Sequence, residues 1–140
     1  MTMTQPLFAI AVKSFIVHGT KLLILKRRPN DPHKPSVWEI PGGRIAAGEN
    51  PYDGLLRETK EETALDIEPI CPLGVQHFTR DDGQRITMII FYCKPSHTHV
   101  RLSEEHTDYQ WIDLITDEEN IPYWIRQEAL TWKKLENKKE

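Results

Sequence analysis

Three glutamates near the middle of the chain have the residue type and spacing to bind a divalent cation. Glu58, Glu61 and Glu62 lie in the segment RETKEE, and spacings of three and four place them on neighbouring ridges of one helix face. Like charges crowded in this way repel, and a cation would remove that cost. Carboxylate ligands on a rigid element suit Mg²⁺, which keeps several waters and binds substrate phosphates, with Mn²⁺ as the alternative ion.

The helix that carries these carboxylates has clear signals at its start. Asn50 is a favoured N-cap residue, Pro51 suits the first helical position, and Asp53 complements the positive helix end. The turn Pro41–Gly42–Gly43 precedes the helix. An ordinary solvated helix face is the alternative interpretation, because Arg57 and Glu61 could form a simple i,i+4 ion pair.

The segment from Gly43 to Leu65 resembles the Nudix box, a motif of 23 residues. Thr59 departs from the family pattern, because an aliphatic residue is usual there, and Ala64 departs because a glycine is usual. We expect Thr59 to pack, whereas Ala64 leaves open how the helix ends, because alanine disfavours positive φ. The residues in register with the box are Gly43, Glu49, Arg57, Glu58, Glu61, Glu62 and Leu65. This long charged pattern favours a site over a solvated face.

The resemblance implies both a fold and a reaction. Nudix proteins have an α/β fold, an α/β/α sandwich with a mixed β-sheet, and the length predicts one Nudix hydrolase domain over residues 1–140. The family implies a Mg²⁺-dependent pyrophosphohydrolase that cleaves a nucleoside diphosphate linked to another group. A water near the metal, deprotonated by a glutamate, would attack phosphorus.

The resemblance also assigns roles within the box. We expect Glu61 and Glu62 to be the principal metal ligands and Glu58 to be a ligand or the general base. The carbonyl of Gly43 could reach the metal. We expect Arg57 to orient Glu61 or a neighbouring carboxylate, because one helical turn separates the two residues.

A further carboxylate is expected downstream of the box, as in many Nudix proteins. Glu104 and Glu105 precede a short predicted strand from Tyr109 to Ile112. Glu105 is our first choice as a further ligand or base, and Glu104 is the second. A solvated acidic loop is the alternative.

Several residues are candidates for contact with the substrate. Arg27 and Arg28 end a predicted strand just before a proline-containing loop that leads toward the metal helix, so they could bind phosphate, although a solvated basic pair is equally consistent. Arg44 lies inside the box. Trp38 is expected in the core or in a pocket wall, and Phe78, Phe8 or Trp111 could contact a nucleobase.

The substrate is less specified than the reaction. The position about sixteen residues past the box, where ADP-ribose enzymes often carry proline and dinucleoside polyphosphate enzymes tyrosine, is Asp81. The absence of both residues argues mildly against those two classes. The single-domain length and the segment WEIPGG before the box resemble nucleoside triphosphate pyrophosphohydrolases, including those for oxidised nucleotides, so this is the preferred function. The alternatives are hydrolysis of ADP-ribose, a nucleotide sugar, a dinucleoside polyphosphate or a capped RNA end, and a non-catalytic module.

Composition bounds the partners. The net charge of −3 gives no broad basic field for extended nucleic acid or an anionic membrane. Two cysteines, Cys71 and Cys93, indicate buried thiols rather than a disulfide scaffold. No apolar run is long enough for a membrane span. A cytoplasmic enzyme with a nucleotide substrate fits best, and Nudix proteins are often homodimers.

The remaining elements follow from hydrophobic patterning. Residues Leu7 to Val17 and Lys21 to Lys26 are predicted to form a β-hairpin about the turn at residues 18–20. Two further strands are predicted at Asp66 to Phe78 and Gln84 to Lys94. A closing amphipathic helix is predicted between Asp117 and Lys134, with Pro122 marking its start.

Overall fold

A hairpin of two strands lies at the centre of the sheet in the computed structural model, which describes residues 8–138. Strand β1 spans Phe8–His18 and β2 spans Lys21–Arg27, and Gly19 has a φ of 65° in the turn between them. The predicted hairpin is confirmed, except that Leu7 lies outside the described residues. The two strands pair only next to the turn, through Val17 with Leu22 and His18 with Lys21, so they diverge beyond it.

The strands form a mixed sheet in which β1 and β2 each hold several neighbours. The path of adjacent strands is β3-β2-β1-β6-β5, with β4 also paired to β1 and β7 also paired to β2. Strand β1 runs parallel to β6, and the other pairings are antiparallel. The other elements are β3 (Trp38–Glu39), β4 (Gly42–Arg44), α1 (Pro51–Thr63), β5 (Ile67–Thr79), β6 (Arg85–Pro95), β7 (His106–Asp113), two 3-10 turns (Glu118–Asn120 and Tyr123–Ile125) and α2 (Arg126–Asn137).

Helices cover both faces of the sheet, as the alternation of side chains along β1 requires. Val12 and Ile16 pack in one apolar cluster with Leu55 of α1. Phe15 points to the opposite face and packs in a second cluster with Trp132 of α2. The predicted α/β class and α/β/α layering are therefore confirmed. Within residues 8–138, no helix has the length and apolarity needed to cross a membrane.

Three boundaries differ from the sequence prediction. The expected turn at Pro41–Gly42–Gly43 is the start of β4, because Gly42 and Gly43 pair with β1. Strand β7 begins at His106 rather than Tyr109, because its first residues, although polar, pair with the edge of β2. The closing helix begins at Arg126, not near Pro122, because the chain first forms two separate 3-10 turns.

The end of α1 explains how the alanine departure is accommodated. Asn50 caps the start of α1 by accepting a hydrogen bond from the Tyr52 amide at 2.8 Å. At the other end, Ala64 adopts the left-handed conformation with φ 65° and ψ 12°, and its amide donates to the Lys60 carbonyl. The helix thus ends as it would with glycine, but an alanine bears the steric cost of the left-handed region.

The first prediction concerns this strain. Ala64→Gly should raise the free energy of unfolding by about 1 kcal/mol, because glycine adopts positive φ without a Cβ clash. Urea denaturation followed by circular dichroism measures the change. Ala47→Gly is the control, because Ala47 is exposed in a loop and is not among the described residues with positive φ. The control should be neutral or destabilised, and a similar gain in both variants would contradict strain at Ala64.

The threonine departure has a polar partner. Thr59 is fully buried, and its hydroxyl lies 2.6 Å from the hydroxyl of Ser14 on β1. The Cys93 thiol is a further, weaker partner of Ser14. An aliphatic residue at position 59 would leave the Ser14 hydroxyl without its strongest partner, so threonine at this position is matched to serine on the facing strand.

The second prediction tests this pairing. Ser14→Ala should cost about 1–3 kcal/mol of unfolding free energy, because the Thr59 hydroxyl would be buried without its partner. Ser14→Ala combined with Thr59→Val should recover most of the loss, because neither hydroxyl then remains. Chemical denaturation of both variants and of Thr59→Val completes the double-mutant cycle. Strictly additive losses would show that the two hydroxyls do not act as a pair.

Candidate active site

A cavity of about 1010 Å³ lies beside the start of the box and is bordered by residues of the sheet. Its lining comes from strands β1 to β6, helix α1, the loops after β2 and β4, the β5–β6 turn, Glu105 before β7 and the second 3-10 turn. Basic and acidic side chains share the wall. The charged residues that line it are Lys13, Arg27, Lys34, Glu39, Arg44, Arg57, Glu58, Glu62, Arg80, Asp82 and Glu105.

A compact group of potential metal ligands combines two carboxylates of the cavity wall with a buried histidine. Carboxylate oxygens of Glu62 and Glu105 and a ring nitrogen of His106 all lie within 4.8 Å of one another. Glu62 comes from α1, whereas Glu105 immediately precedes β7, so the fold joins residues 43 positions apart. Of the two downstream glutamates considered, Glu105 lines the cavity and Glu104 does not.

Glu62 is the most buried carboxylate of the box, with 4% of its surface exposed. One of its oxygens accepts a hydrogen bond of 2.7 Å from the Gly42 amide. Burial raises the pKa of Glu62 to about 8, although Lys13 and the Gly42 amide oppose that rise. A buried carboxylate with this raised pKa lacks sufficient positive charge nearby, and a divalent cation would supply it. The donor set therefore fits a hard cation such as Mg²⁺.

Glu58 lies one helical turn before Glu62 and faces the same cavity. Burial raises its pKa, while Arg57 acts in the opposite direction. A Cβ at position 43 would lie 2.7 Å from Glu58 Oε2, so any larger residue there would displace the Glu58 carboxylate. Gly43 thus lets the carboxylate of Glu58 rest directly against the backbone of β4.

Arg57 binds carboxylates of the box. Its guanidinium donates two hydrogen bonds to Glu49, at 2.8 and 2.9 Å, and a third to Glu58 at 3.1 Å. The contact with Glu61 is longer, at 3.4 Å, and the Glu61 side chain is 58% exposed. Glu61 does not line the cavity. Glu58 and Glu62 are four residues apart, so they share the helix face toward the cavity. Glu61 precedes Glu62 directly, so its side chain points in a different direction, toward solvent.

A buried charge network lies beneath the acidic group. Glu39 accepts hydrogen bonds from Lys13 at 3.0 Å, from Arg27 at 2.7 Å and from His106 Nε2 at 2.7 Å. Burial acts to raise the pKa of Glu39, but Lys13, His106 and Arg27 together hold that pKa well below its usual range. Glu39 is thus an anion that fixes side chains from three neighbouring strands.

The predicted substrate contacts divide into two groups. Arg27, Arg44 and Phe78 line the cavity, although Arg27 is held by Glu39 and Asp31. Arg28 and Trp38 do not line the cavity. Trp38 is partly buried against the core cluster on the α2 face, which is the structural role considered for it above.

Sequence reasoning missed Lys13, Glu39 and His106 as members of the site. Each is at most 8% exposed. Lys13 and Glu39 interrupt apolar runs, AVKSFIV and VWEI, and a charged residue inside a buried strand is a signal of a paired site. His106 directly follows Glu105 in a polar segment, where no local pattern indicates a buried residue. Its burial is seen only in the structure.

The third prediction concerns the stability of the metal-free protein against pH. The pKa of Glu62 rises from 4.5 to about 8 on folding, so the native state holds a proton that the unfolded chain releases. The stability conferred by protonated Glu62 is present below pH 4.5 and is lost as the pH rises toward 8. Over that interval, wild-type protein in chelator should lose about 3–5 kcal/mol relative to Glu62→Gln.

Urea denaturation at pH 5, 6.5 and 8 with chelator present measures this difference. Glu62→Gln is a matched variant, because glutamine keeps the shape and an oxygen for the Gly42 amide. Added Mg²⁺ should stabilise the wild type most at pH 8 and should stabilise Glu62→Gln little. A wild-type-to-variant difference that does not change with pH would contradict the raised pKa.

The comparisons with known proteins agree with this fold. The NUDIX domain family model matches residues 7–127. A MutT-like protein of Streptomyces ambofaciens is 33% identical over 125 residues, which are 88% of this chain and 77% of that protein. An ADP-ribose pyrophosphatase of Methanocaldococcus jannaschii is 30% identical over 107 residues, which are 76% of this chain and 62% of that protein.

Solved structures show the same architecture. The crystal structure of the MutT protein from Methanosarcina mazei Go1 superposes with a TM-score of 0.80 at 23% identity, covering 95% of this chain and 99% of that one. The chain belongs to the Nudix hydrolase family, whose members are pyrophosphohydrolases acting on acid anhydrides.

Proposed function

We propose that this protein hydrolyses nucleoside triphosphates to a nucleoside monophosphate and pyrophosphate. The main support is that Glu58, Glu62 and Glu105 line one cavity. Lysine and arginine side chains line the same cavity. Carboxylates suit a divalent cation, and cations on the opposite wall suit a polyphosphate. We also propose that positions 1–140 form one Nudix domain and that the enzyme is cytoplasmic.

The metal site is proposed to use the box carboxylates together with the downstream glutamate. Glu62 and Glu105 are the central ligands, Glu58 and the Gly43 carbonyl lie beside them, and Glu61 stays a predicted ligand although it does not line the cavity. Bound Mg²⁺, or Mn²⁺ in its place, would neutralise charge that develops on the phosphate oxygens.

The chain's own residues would carry the proton transfer. Glu58 is proposed as the general base, since burial raises its pKa and so improves its ability to take a proton from water. Glu105 is the other candidate. Water would add to phosphorus as the bridging P–O bond breaks, and the leaving pyrophosphate would take the electron pair. Arg57 orients Glu58 through a hydrogen bond of 3.1 Å, and Arg44 is available on the cavity wall for phosphate.

A second candidate is hydrolysis of ADP-ribose, as the name of the Methanocaldococcus relative suggests. Nucleotide sugars, dinucleoside polyphosphates and capped RNA ends are the other members of this group. A panel of these compounds and of ordinary and oxidised triphosphates, assayed with Mg²⁺ and with chelator, separates the two. Pyrophosphate with a monophosphate supports the proposal, whereas two monophosphate products from a diphosphate-linked substrate support the alternative.

A further inference from the structure

A buried histidine adds a nitrogen donor to the two carboxylates of the candidate metal site. Carboxylate oxygens of Glu62 and Glu105 and a ring nitrogen of His106 all lie within 4.8 Å of one another. The His106 side chain is 0% exposed. Ligands about 2 Å from a shared ion lie no more than about 4 Å apart, so small side-chain movements would bring all three donors onto one ion.

The hydrogen bond to Glu39 determines which ring nitrogen of His106 is available. Nε2 of His106 lies 2.7 Å from Glu39 Oε2. Burial acts to raise the pKa of Glu39, but Lys13, His106 and Arg27 hold that pKa well below its usual range, so Glu39 is ionised and only accepts hydrogen bonds. Nε2 therefore carries the hydrogen, and the neutral ring has its lone pair on Nδ1.

The Nδ1 atom of His106 has no hydrogen-bond partner among residues 8–138, although it is buried. A buried acceptor without a partner is destabilising, and a metal ion would use its lone pair. Histidines that bind metal ions almost always donate their other ring N–H to a carboxylate, a carbonyl or water. Glu39 and His106 form such a pair, in which Nε2 is bound by the carboxylate and Nδ1 is left for the ion.

The backbone at the start of β7 holds Glu105 and His106 at the site. The Arg28 amide donates a hydrogen bond of 3.0 Å to the Glu105 carbonyl, and His106 forms the first pair of β7 with β2. The register shifts at the next step, so Thr107 is an extra residue in β7. A β-bulge of this kind re-aims neighbouring side chains and is common beside active sites. Two consecutive residues can thus serve one site, although consecutive residues of a regular strand face opposite sides.

We infer that His106 Nδ1 is a ligand of the same ion as Glu62 and Glu105, and that this nitrogen selects a transition-metal ion such as Mn²⁺ over Mg²⁺. Imidazole nitrogen is a ligand of transition-metal ions, whereas Mg²⁺ prefers oxygen. The two carboxylates accept either ion, so the histidine determines the preference. This inference rests on the proposed function, because it concerns the metal site that the proposed reaction uses.

Spectroscopy of Mn²⁺ bound to the wild-type protein, without nucleotide, tests the ligand directly. Pulsed electron paramagnetic resonance detects the coupling of a directly bound nitrogen to the electron spins of Mn²⁺. The wild type should show this coupling, and protein labelled with ¹⁵N only in its histidines should show the ¹⁵N coupling in its place. The same sample of Glu62→Gln should lose the bound Mn²⁺ signal, which excludes binding elsewhere. The wild-type measurement needs no variant, so it decides the question even where a variant fails to fold.

His106→Gln separates metal binding from the support of Glu39. The glutamine amide can donate to Glu39 as Nε2 does, but it has no lone pair at the position of Nδ1. This variant should lose the nitrogen coupling and bind Mn²⁺ about tenfold more weakly, while its Mg²⁺ affinity changes less than about twofold. Competition between the two ions, followed through the signal of free Mn²⁺, measures both affinities. His77→Gln is the control, because His77 is exposed on β5 and does not line the cavity, and it should change neither.

The outcomes separate this inference from the proposed function. Bound Mn²⁺ without nitrogen coupling in the wild type, or equal losses of Mn²⁺ and Mg²⁺ affinity in His106→Gln, would overturn it and make His106 a positioning residue for Glu105. Nitrogen coupling that persists in His106→Gln would also overturn it. Triphosphate hydrolysis by a protein whose bound Mn²⁺ has only oxygen ligands would overturn the inference and leave the proposed reaction intact. Nitrogen coupling without triphosphate hydrolysis would support the inference and overturn the proposed reaction.

Discussion

Glu62→Gln should reduce kcat for the best substrate of the panel by about 10³-fold, which corresponds to about 4 kcal/mol of transition-state stabilisation. Glu62 is almost fully buried beside Glu105, and its raised pKa shows that its charge is poorly compensated by the protein alone. Glutamine preserves the oxygen that accepts from Gly42 but removes the negative charge that would hold a cation. The variant should therefore fold and lose metal binding.

Two measurements check this expectation. Phosphate release at saturating substrate gives kcat, and calorimetric titration with Mn²⁺ gives metal affinity independently of turnover. Glu61→Gln is the variant for comparison on the same helix, because Glu61 is also a predicted ligand but its side chain is 58% exposed and does not line the cavity. We expect a smaller loss from it. Equal losses would place Glu61 among the ligands, and full metal affinity in Glu62→Gln would refute the assignment of Glu62.

The difference between Glu61 and Glu62 shows what the sequence could predict about the box. Helical spacing places Glu58, Glu61 and Glu62 near one face, but a face that wide includes both cavity and solvent. The contacts that distinguish them come from β4, where Gly42 binds Glu62 and Gly43 abuts Glu58. Helical periodicity thus identified the carboxylates. Predicting which of them are buried also requires the position of β4, which the local sequence does not give.

The buried charge network could not be predicted in this way. Lys13 and Glu39 are 26 residues apart, and Glu39 and His106 are 67 apart. A charged residue inside a buried strand, such as Lys13 in β1, indicates that a partner exists but not which residue it is. Only strand pairing brings them together, since β2 lies between β3 and β7. The roles of such residues depend on topology, which a local pattern does not specify.

The two departures from the box differ from the buried network, because the sequence alone identified both positions as ones where the local structure was uncertain. Thr59 was expected to pack, and it is fully buried, but its hydroxyl is satisfied by Ser14, a partner that has no signal near the box. The sequence left open how the helix ends at Ala64, and in the structure Ala64 adopts φ 65° there. The helix terminus is therefore determined by the turn into β5 and not by the residue's own preference.

Glu39→Gln should lower the free energy of unfolding by about 3–5 kcal/mol, the second large effect expected for this protein. Glu39 is 3% exposed and receives hydrogen bonds from Lys13, Arg27 and His106. Removing its charge would leave the Lys13 ammonium without its counter-ion near the core, and Arg27 would keep only its ion pair with Asp31. Because folding lowers the pKa of Glu39, its contribution is present above pH 4.5 and is lost as the pH falls through the folded pKa.

Urea denaturation at pH 7 and at pH 3 tests both the size and the sign of this effect. The gap between wild type and Glu39→Gln should be largest at pH 7 and should shrink at pH 3, as the unfolded chain takes up the proton. Asp66→Asn is the control, because Asp66 pairs with Lys60 on the surface, with both side chains more than half exposed, and should cost less than about 1 kcal/mol. Lys13→Met combined with Glu39→Gln should recover part of the loss, because the uncompensated ammonium is then absent. A gap no larger than that of Asp66→Asn would mean that the network contributes no more to stability than a surface ion pair.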